Sequence, residues 1–143
     1  MTVPFRPFAG PEHRAFELGA DGRQALLVHG FPGTPAEMRP LAEVLAARGW
    51  RERAPLLPCF GPDIVNLGRC RWQDWVMAIE AEWAALRAAA GPSALIGYSM
   101  GAAIALHVAA ARPPDRLVLV APFWRVPGLV ARAVPVLKWV LPR

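Results

Sequence analysis

The longest stretch of this sequence without a charged residue lies between Arg87 and Arg112, and it limits what the chain can fold into. Its larger part, residues 94–111, reads ALIGYSMGAAIALHVAAA. A membrane-spanning helix needs about 20 consecutive apolar residues. This stretch is interrupted by residues that form turns or break helices, namely Gly91, Pro92, Gly97 and Gly101. The pattern therefore predicts a buried strand, a sharp turn and a helix, with no transmembrane span.

The rest of the chain alternates in the same way between short apolar strands and amphipathic helices. Strands are predicted near residues 16–18, 25–28, 50–58, 93–96 and 115–122, and helices over residues 35–48, 72–90 and 102–111. The second helix carries an apolar stripe formed by Trp72, Trp75, Val76, Ile79, Trp83 and Leu86. This alternation predicts an α/β fold in which helices cover both faces of a parallel sheet, giving three layers.

The first predicted helix has a start signal and a stop signal. Thr34 is the expected N-cap, Pro35 the first helical residue, and Glu37 the residue that bonds back to the cap in a capping box. Pro40 falls inside the pattern and weakens the first turns, because proline has no backbone N–H. Gly49 is placed where a C-terminal cap belongs.

The segment CFGPDIVNLGRCR, residues 59–71, is predicted to be a loop. It contains both cysteines of the chain, Cys59 and Cys70, and their spacing matches neither a disulfide framework nor a CxxC pair. Two reduced thiols in a cytoplasmic protein are therefore expected. The first residues show no basic patch followed by an apolar segment, so no signal peptide is predicted.

Composition and charge exclude some functions. The chain has 55% hydrophobic residues, against roughly 45–50% in a typical globular protein, so it has enough apolar side chains to form a core. Its formal net charge is +5. The basic residues are scattered along the chain. No pattern of a DNA-recognition helix, no zinc-ligand spacing and no aromatic-basic surface accompanies them, so nucleic-acid binding is not predicted.

The segment Gly97-Tyr98-Ser99-Met100-Gly101 is a G-x-S-x-G motif between a predicted strand and a predicted helix. In that context the serine projects from a strained turn, and side chains two positions away on either side would collide with the crossing strand and helix. Gly97 and Gly101 avoid those collisions, and the amino end of the helix favours negative charge near the serine. We therefore predict that Ser99 is a catalytic nucleophile. An ordinary strand–helix turn is the alternative.

A second motif, HGFPGTP, follows the strand that ends near Val28. The tetrahedral intermediate of acyl transfer needs two positioned N–H donors for its oxyanion. The backbone N–H groups of Phe31 and Met100 are predicted to be these donors, and Gly30 and Gly33 permit close approach of the backbone to a substrate. His29 is expected to hold loop backbone in place and not to act as the base.

At these residues the sequence resembles the α/β-hydrolase superfamily, and within it small bacterial carboxylesterases and monoacylglycerol-lipase-like enzymes. HGFPGTP resembles the oxyanion loop and GYSMGAAIAL the nucleophile elbow, and the likeness covers roughly residues 25–123. The resemblance implies a Ser-His-Asp hydrolase that cleaves carboxylic esters of short to medium acyl chains through an acyl-enzyme. It implies no metal and no organic cofactor, and a small-molecule ester as the partner. Relatives often carry a Gly-His-Gly turn where this chain has residues 55–63, which contain no histidine.

The acid and the base that the resemblance implies should follow Ser99 in the chain. His107 lies eight residues along the helix, about 12 Å away at 1.5 Å per residue, and is expected to point away from the turn. Asp115 precedes the last predicted strand, at the opposite end of the sheet, and His13 lies outside any motif. The chain is therefore interpreted as the N-terminal part of a longer hydrolase, or as a short form that relies on a partner chain. Its last strand is expected to be an exposed apolar edge.

Two parts are predicted along the chain: an incomplete hydrolase core over residues 1–124 and the start of a cap or lid over residues 125–143. The second part is apolar with interleaved Arg and Lys, so contact with a membrane surface is its alternative reading.

Two functional alternatives stay open. One is a non-catalytic fragment or pseudoenzyme that binds an apolar ligand or a partner protein, and the other is an acyltransferase or thioesterase. The sequence does not set the oligomeric state.

Overall fold

A computed structural model describes residues 7–20, 22–89 and 91–122 of the 143. In these residues the strands are β1 (Phe16–Leu18), β2 (Arg23–Val28), β3 (Trp50–Ala54), β4 (Ser93–Tyr98) and β5 (Arg116–Val120). The helices are α1 (Arg39–Ala46), α2 (Trp72–Arg87) and α3 (Met100–Ala111), with shorter 3₁₀ helices at Pro11–His13, Pro35–Met38 and Gly61–Arg69. The predicted alternation of strands and helices is confirmed.

The strands form one sheet in the order β1-β3-β2-β4-β5. Strands β2 to β5 are parallel to one another, whereas β1 runs antiparallel to β3. Val28 is paired with Gly97, and Tyr98 with Val120. The carboxyl ends of β2, β4 and β5 therefore meet at one edge of the sheet, the edge at which open α/β sheets bind their ligands.

Two apolar clusters, one on each face of the sheet, form the core. Helices α2 and α3 cover one face, where Trp83, Ile79 and Val108 pack against Leu26 and Leu95. On the other face, the strand residues that alternate with the first set pack against α1 and the turn before it. The strands contribute Ala25, Leu27, Ala54, Ala94 and Ile96, and the turn and α1 contribute Met38 and Ala42. The chain thus has the three-layer α/β fold that the sequence predicted.

The expected capping box of the first helix is wrong. Residues Pro35–Met38 form a 3₁₀ turn, and α1 begins only at Arg39, with Pro40 in its first turn. This start suits proline, because the first turn of an α-helix needs no donor from that position. Thr34 makes no capping bond with its side chain; its hydroxyl pairs with Nδ1 of His13 at 2.8 Å.

The prediction of two reduced thiols is also wrong, because Cys59 and Cys70 form a disulfide. The intervening residues, expected to be an irregular loop, wind into the 3₁₀ helix Gly61–Arg69. That winding brings the two Cα atoms to 6.2 Å, within the range of a disulfide. The spacing of the cysteines along the sequence carries no sign of this, so only the fold reveals the pairing.

The remaining boundaries differ by a few residues. Helix α2 ends at Arg87, three residues before the predicted end, and Trp72 at its start is 54% exposed.

Strand β5 pairs with β4 and, within the described residues, with no other strand, so the expected exposed apolar edge is confirmed. The predicted cap, residues 125–143, lies outside the described residues. Where the structure describes the chain, no helix is both long enough and apolar enough to cross a membrane.

Candidate active site

Ser99 occupies the turn between strand and helix by itself. Strand β4 extends to Tyr98 and α3 begins at Met100, so the predicted five-residue turn is reduced to one residue. Ser99 has φ of 53° and ψ of −116°, a conformation that costs a residue with a side chain of order 1–3 kcal/mol. Its N–H donates to the carbonyl of Val120 at 2.9 Å, and its own carbonyl accepts from Ala102 at 3.0 Å. These bonds hold the strained backbone in place.

The hydroxyl of Ser99 is not used to cap the helix. Within the described structure it makes no hydrogen bond to the first turn of α3, although serine commonly does so at this position. The first N–H groups of the helix, beginning with Met100, therefore have no partner from this side chain. An oxyanion beside Ser99 would meet the positive end of the α3 dipole.

Glycine is required on both sides of the serine. A Cβ at Gly97 would overlap the carbonyl oxygen of Gly101 and the Cα of Ala102 in α3. A Cβ at Gly101 would overlap the carbonyl oxygens of Val28 and His29 at the end of β2. These are the collisions with the crossing helix and strand that the motif predicted.

The HGFPG segment lies directly beside the serine. Gly30 is buried, and a Cβ there would be 3.1 Å from Cβ of Ser99 and 3.2 Å from the carbonyl oxygen of Tyr98. The two segments meet because β2 and β4 are parallel neighbours that end at the same edge. Phe31, the next residue, has its side chain 55% exposed. The structure thus brings together the elements that carry the expected nucleophile and both expected oxyanion donors.

His29 is buried and its ring joins two loops. Its Nε2 accepts the N–H of Leu57 at 3.1 Å, and its Nδ1 lies 2.9 Å from the carbonyl oxygen of Gly30, to which it donates. Burial lowers the pKa of His29 to about 4, with the hydrogen bond to Gly30 opposing the shift, so the ring is neutral at pH 7. With both ring nitrogens engaged, His29 holds loop backbone, in agreement with the expectation.

The other candidate partners are engaged elsewhere. The ring of His107, exposed on α3, contacts the Trp72 ring at a centroid distance of 5.6 Å, and His13 pairs with Thr34. Asp115 accepts both the N–H and the hydroxyl of Ser93 at 2.8 Å, and these bonds lower the pKa of its carboxyl. Ser93 begins β4 and Ser99 follows its end, so Asp115 lies at the opposite edge of the sheet.

An aromatic cluster around Phe60 supports the HGFPG segment. Phe60 is buried, and its ring contacts those of His29, Phe31 and Trp75 at centroid distances of 5.2, 6.2 and 5.6 Å. Phe60 is adjacent to the disulfide-bonded Cys59, whose φ is 60°. The sequence gave no sign that a disulfide closes this turn.

An apolar cavity opens next to Met100. It has a volume of about 190 Å³ and lies between the amino-terminal parts of α2 and α3. Its lining is formed by Trp72, Trp75, Val76, Met100, Ile104 and His107, together with Ala103. The cavity therefore adjoins the residue whose N–H is the second expected oxyanion donor.

One contact at the site was missed by sequence reasoning. Glu37, interpreted as part of a capping box, instead accepts the N–H of Gly30 on its Oε2 at 3.0 Å. A Cβ at Gly33 would overlap the Glu37 carboxyl group, so Gly33 leaves the space that the carboxylate occupies. The same residue spacing serves a capping box equally well, and only the fold distinguishes the two uses of Glu37.

Comparison with known proteins identifies the family to which the chain belongs. Residues 25–143 match the Alpha/beta hydrolase family. A thermostable monoacylglycerol lipase of Bacillus sp. (strain H-257) is 34% identical over 113 residues, which are 79% of this chain and 44% of that protein. Lipase LipV of Mycobacterium tuberculosis (strain ATCC 25618 / H37Rv) is 35% identical over 115 residues, covering 72% of this chain and 43% of that protein.

A solved structure is similar to this chain over most of its length. It comes from work on LipS and LipT, two metagenome-derived lipolytic enzymes, and has a TM-score of 0.78 with 25% identity, covering 87% of this chain and 51% of that one. This chain spans less than half the length of the two lipases and about half that of the solved relative. The matched residues include the whole of the HGFPG segment and the Ser99 turn. The chain belongs to the alpha/beta hydrolase family.

Proposed function

We propose that Ser99 is the nucleophile of a serine hydrolase that cleaves carboxylic esters of short to medium acyl chains. The observation that carries the proposal is the position of Ser99, alone in a strained turn between β4 and α3, with Gly30 packed against it. The two similar proteins named as lipases support an ester as the substrate class.

The proposed reaction has two steps. In the first, Oγ of Ser99 attacks the ester carbonyl carbon while a base takes its proton, and the carbonyl oxygen becomes an anion. The backbone N–H groups of Phe31 and Met100 donate to that oxygen, and one such donor is worth roughly 10²–10³ in rate. The base then returns this proton to the leaving oxygen as the tetrahedral intermediate collapses, so that the alcohol departs and an acyl-serine remains. In the second step water hydrolyses the acyl-serine and releases the acid.

The base of this reaction is proposed to come from polypeptide other than this sequence. The chain has three histidines, and the structure describes all of them. His13, His29 and His107 interact with Thr34, Leu57 and Trp72 respectively. None of these three histidines is hydrogen-bonded to Ser99. We therefore assign the base and its orienting acid to polypeptide other than this sequence.

The apolar cavity beside Met100 is proposed to receive the acyl group. A volume of about 190 Å³ accommodates a short acyl chain, and six of its seven lining residues are apolar or aromatic. Apolar surface removed from water contributes roughly 25 cal/mol per Å². An ester with an alkyl acyl group therefore fits this site better than one with a charged acyl group.

A fluorophosphonate probe tests the nucleophile without the missing base. At about pH 9 a fraction of serine hydroxyls ionises, so the positive helix end and the two N–H donors can act alone. We expect slow phosphonylation of Ser99, at least about 100-fold faster than that of N-acetylserinamide under the same conditions. Peptide mass mapping locates the adduct.

The chain contains its own control, because Ser93 is its only other serine. The adduct should be on Ser99, absent from Ser93, and lost in Ser99→Ala. A folded chain whose Ser99 reacts no faster than the free serine amide would overturn the proposal and favour the non-catalytic alternative.

A further inference from the structure

The carboxylate of Glu37 accepts a hydrogen bond from the N–H of Gly30, the residue that packs against Ser99. Gly30 is buried, and its N–H donates to Oε2 of Glu37 at 3.0 Å. A buried backbone N–H needs a partner, and a charged acceptor gives a hydrogen bond roughly twice as strong as a neutral one. Glu37 belongs to the 3₁₀ turn Pro35–Met38, so a separate element holds the loop.

Two side chains fix the two peptide groups that flank Gly30. The N–H of Gly30 belongs to the peptide group shared with His29, and Glu37 holds it. The carbonyl of Gly30 belongs to the peptide group shared with Phe31, and Nδ1 of His29 holds it. Because a trans peptide is planar, the N–H of Phe31 must point opposite to that carbonyl.

Gly30 needs such restraint more than another residue would. Glycine has the widest range of backbone conformations. A Cβ at this position would be 3.1 Å from Cβ of Ser99 and 3.2 Å from the carbonyl oxygen of Tyr98, which is closer than an ordinary van der Waals contact. If only the carbonyl were held, rotation about the backbone bonds of Gly30 would remain available. The bond to Glu37 closes that freedom.

We propose that Glu37 is a positioning residue of the oxyanion loop: by binding the Gly30 N–H, it keeps the N–H of Phe31 in the orientation that the oxyanion requires. This inference rests on the proposed function of the Ser99 site. The role needs an acceptor atom at this place and not a negative charge. Gln, which keeps an acceptor oxygen, should therefore preserve it, and Ala should remove it.

Amide hydrogen exchange of Gly30, followed by NMR in the isotope-labelled chain, tests the hydrogen bond itself. In Glu37→Ala we expect the Gly30 amide to exchange at least about tenfold faster, since the protecting bond is lost. In Glu37→Gln the rate should stay within about threefold of that of the unmodified chain. Glu43→Ala is the matched control, because Glu43 is exposed on α1, and it should change nothing at Gly30.

The rate of fluorophosphonate labelling at Ser99 tests the positioning role separately. We expect Glu37→Ala to slow labelling about tenfold, which is less than the loss of a whole donor would cost, because His29 still holds the Gly30 carbonyl. Glu37→Gln should restore most of the rate. Gly30 exchange that is equally slow in Glu37→Ala, or Ser99 labelling that is equally fast, would overturn the inference. If the unmodified chain is not labelled at all, the proposed function fails instead, and Gly30 exchange still shows whether Glu37 holds the loop.

Discussion

At the scale of single residues, a buried carboxyl group in β3 makes the stability of the fold depend on pH. Glu52 is fully buried between the paired residues Leu18 and Ala25, and within the described residues neither of its carboxyl oxygens has a hydrogen-bond partner. Burial raises the pKa of Glu52 from 4.5 to about 7. Between pH 4.5 and about 7, the folded chain therefore keeps a proton on Glu52 that the unfolded chain releases.

This proton makes stability depend on pH in a definite direction. Below pH 4.5 Glu52 is neutral in both states, and its stabilising contribution is fully present; that contribution is lost as the pH rises through about 7. Glu52→Gln cannot ionise, so at pH 8 it should be more stable than the unmodified chain by about 3 kcal/mol. At pH 4 the two should differ by less than about 0.5 kcal/mol.

Urea unfolding of both proteins across this pH range checks the prediction. The pKa of His29 is lowered in the folded state, so its contribution to stability changes with the opposite sign. His29 is present in both proteins, and its effect cancels in the difference between them. A difference that does not grow as the pH rises would show that Glu52 is not buried as described.

Residues differ in how far the sequence could predict their roles. Gly97 was predictable from the local sequence, because a Cβ there would meet Gly101 and Ala102, four and five residues later. Gly101 was predictable only through the motif, because the atoms that a Cβ there would meet belong to Val28 and His29 at the end of β2.

The role of Glu37 was not predictable. Its side chain reaches back seven residues to the N–H of Gly30, and the hydroxyl of Thr34 pairs with His13, 21 residues earlier. Local spacing alone favoured the bond between Thr34 and Glu37.

At the scale of elements, the disulfide determines the stability of the segment below the oxyanion loop. Cys59 and Cys70 close a loop with a sequence separation of 11, and Phe60 inside it contacts His29 and Phe31. A cross-link of this length restricts the unfolded chain and contributes about 2–3 kcal/mol. We expect a reductant to lower the free energy of unfolding by that amount.

Urea unfolding with and without a reductant measures this contribution. The double variant Cys59→Ala with Cys70→Ala serves as the control, since its stability should not respond to the reductant. If the unreduced, denatured chain shows two titratable thiols, the disulfide does not form and the prediction is wrong.

The elements themselves were predictable where the local pattern and the packing agree. The apolar stripe in the sequence predicted both the helix α2 and the face of it that is buried. Its members Val76, Ile79, Trp83 and Leu86 are all buried. The start of α1 was not predictable, because the residues before Pro40 form a 3₁₀ turn that serves the loop. The 3₁₀ helix Gly61–Arg69 was missed for a related reason, since its glycines and proline are typical of loops.

At the scale of the whole molecule, the fold class followed from the alternation of strands and helices. The strand order β1-β3-β2-β4-β5 did not, because no local pattern states which strands become neighbours. That order matters for function, since it makes β2 and β4 parallel neighbours and so joins two segments far apart in the sequence. The candidate site is a consequence of this pairing.

The central claim is that Gly30 at the end of β2 lies against Ser99 at the end of β4. Nuclear Overhauser effects in the isotope-labelled chain measure this proximity directly, because they arise only between protons that are close in space. The structure places a Cβ built on Gly30 at 3.1 Å from Cβ of Ser99, so we expect clear cross-peaks between the Gly30 α-protons and the Ser99 β-protons. If both sets of resonances are assigned and no cross-peak connects them, the oxyanion loop and the serine do not meet, and the account of the site is wrong.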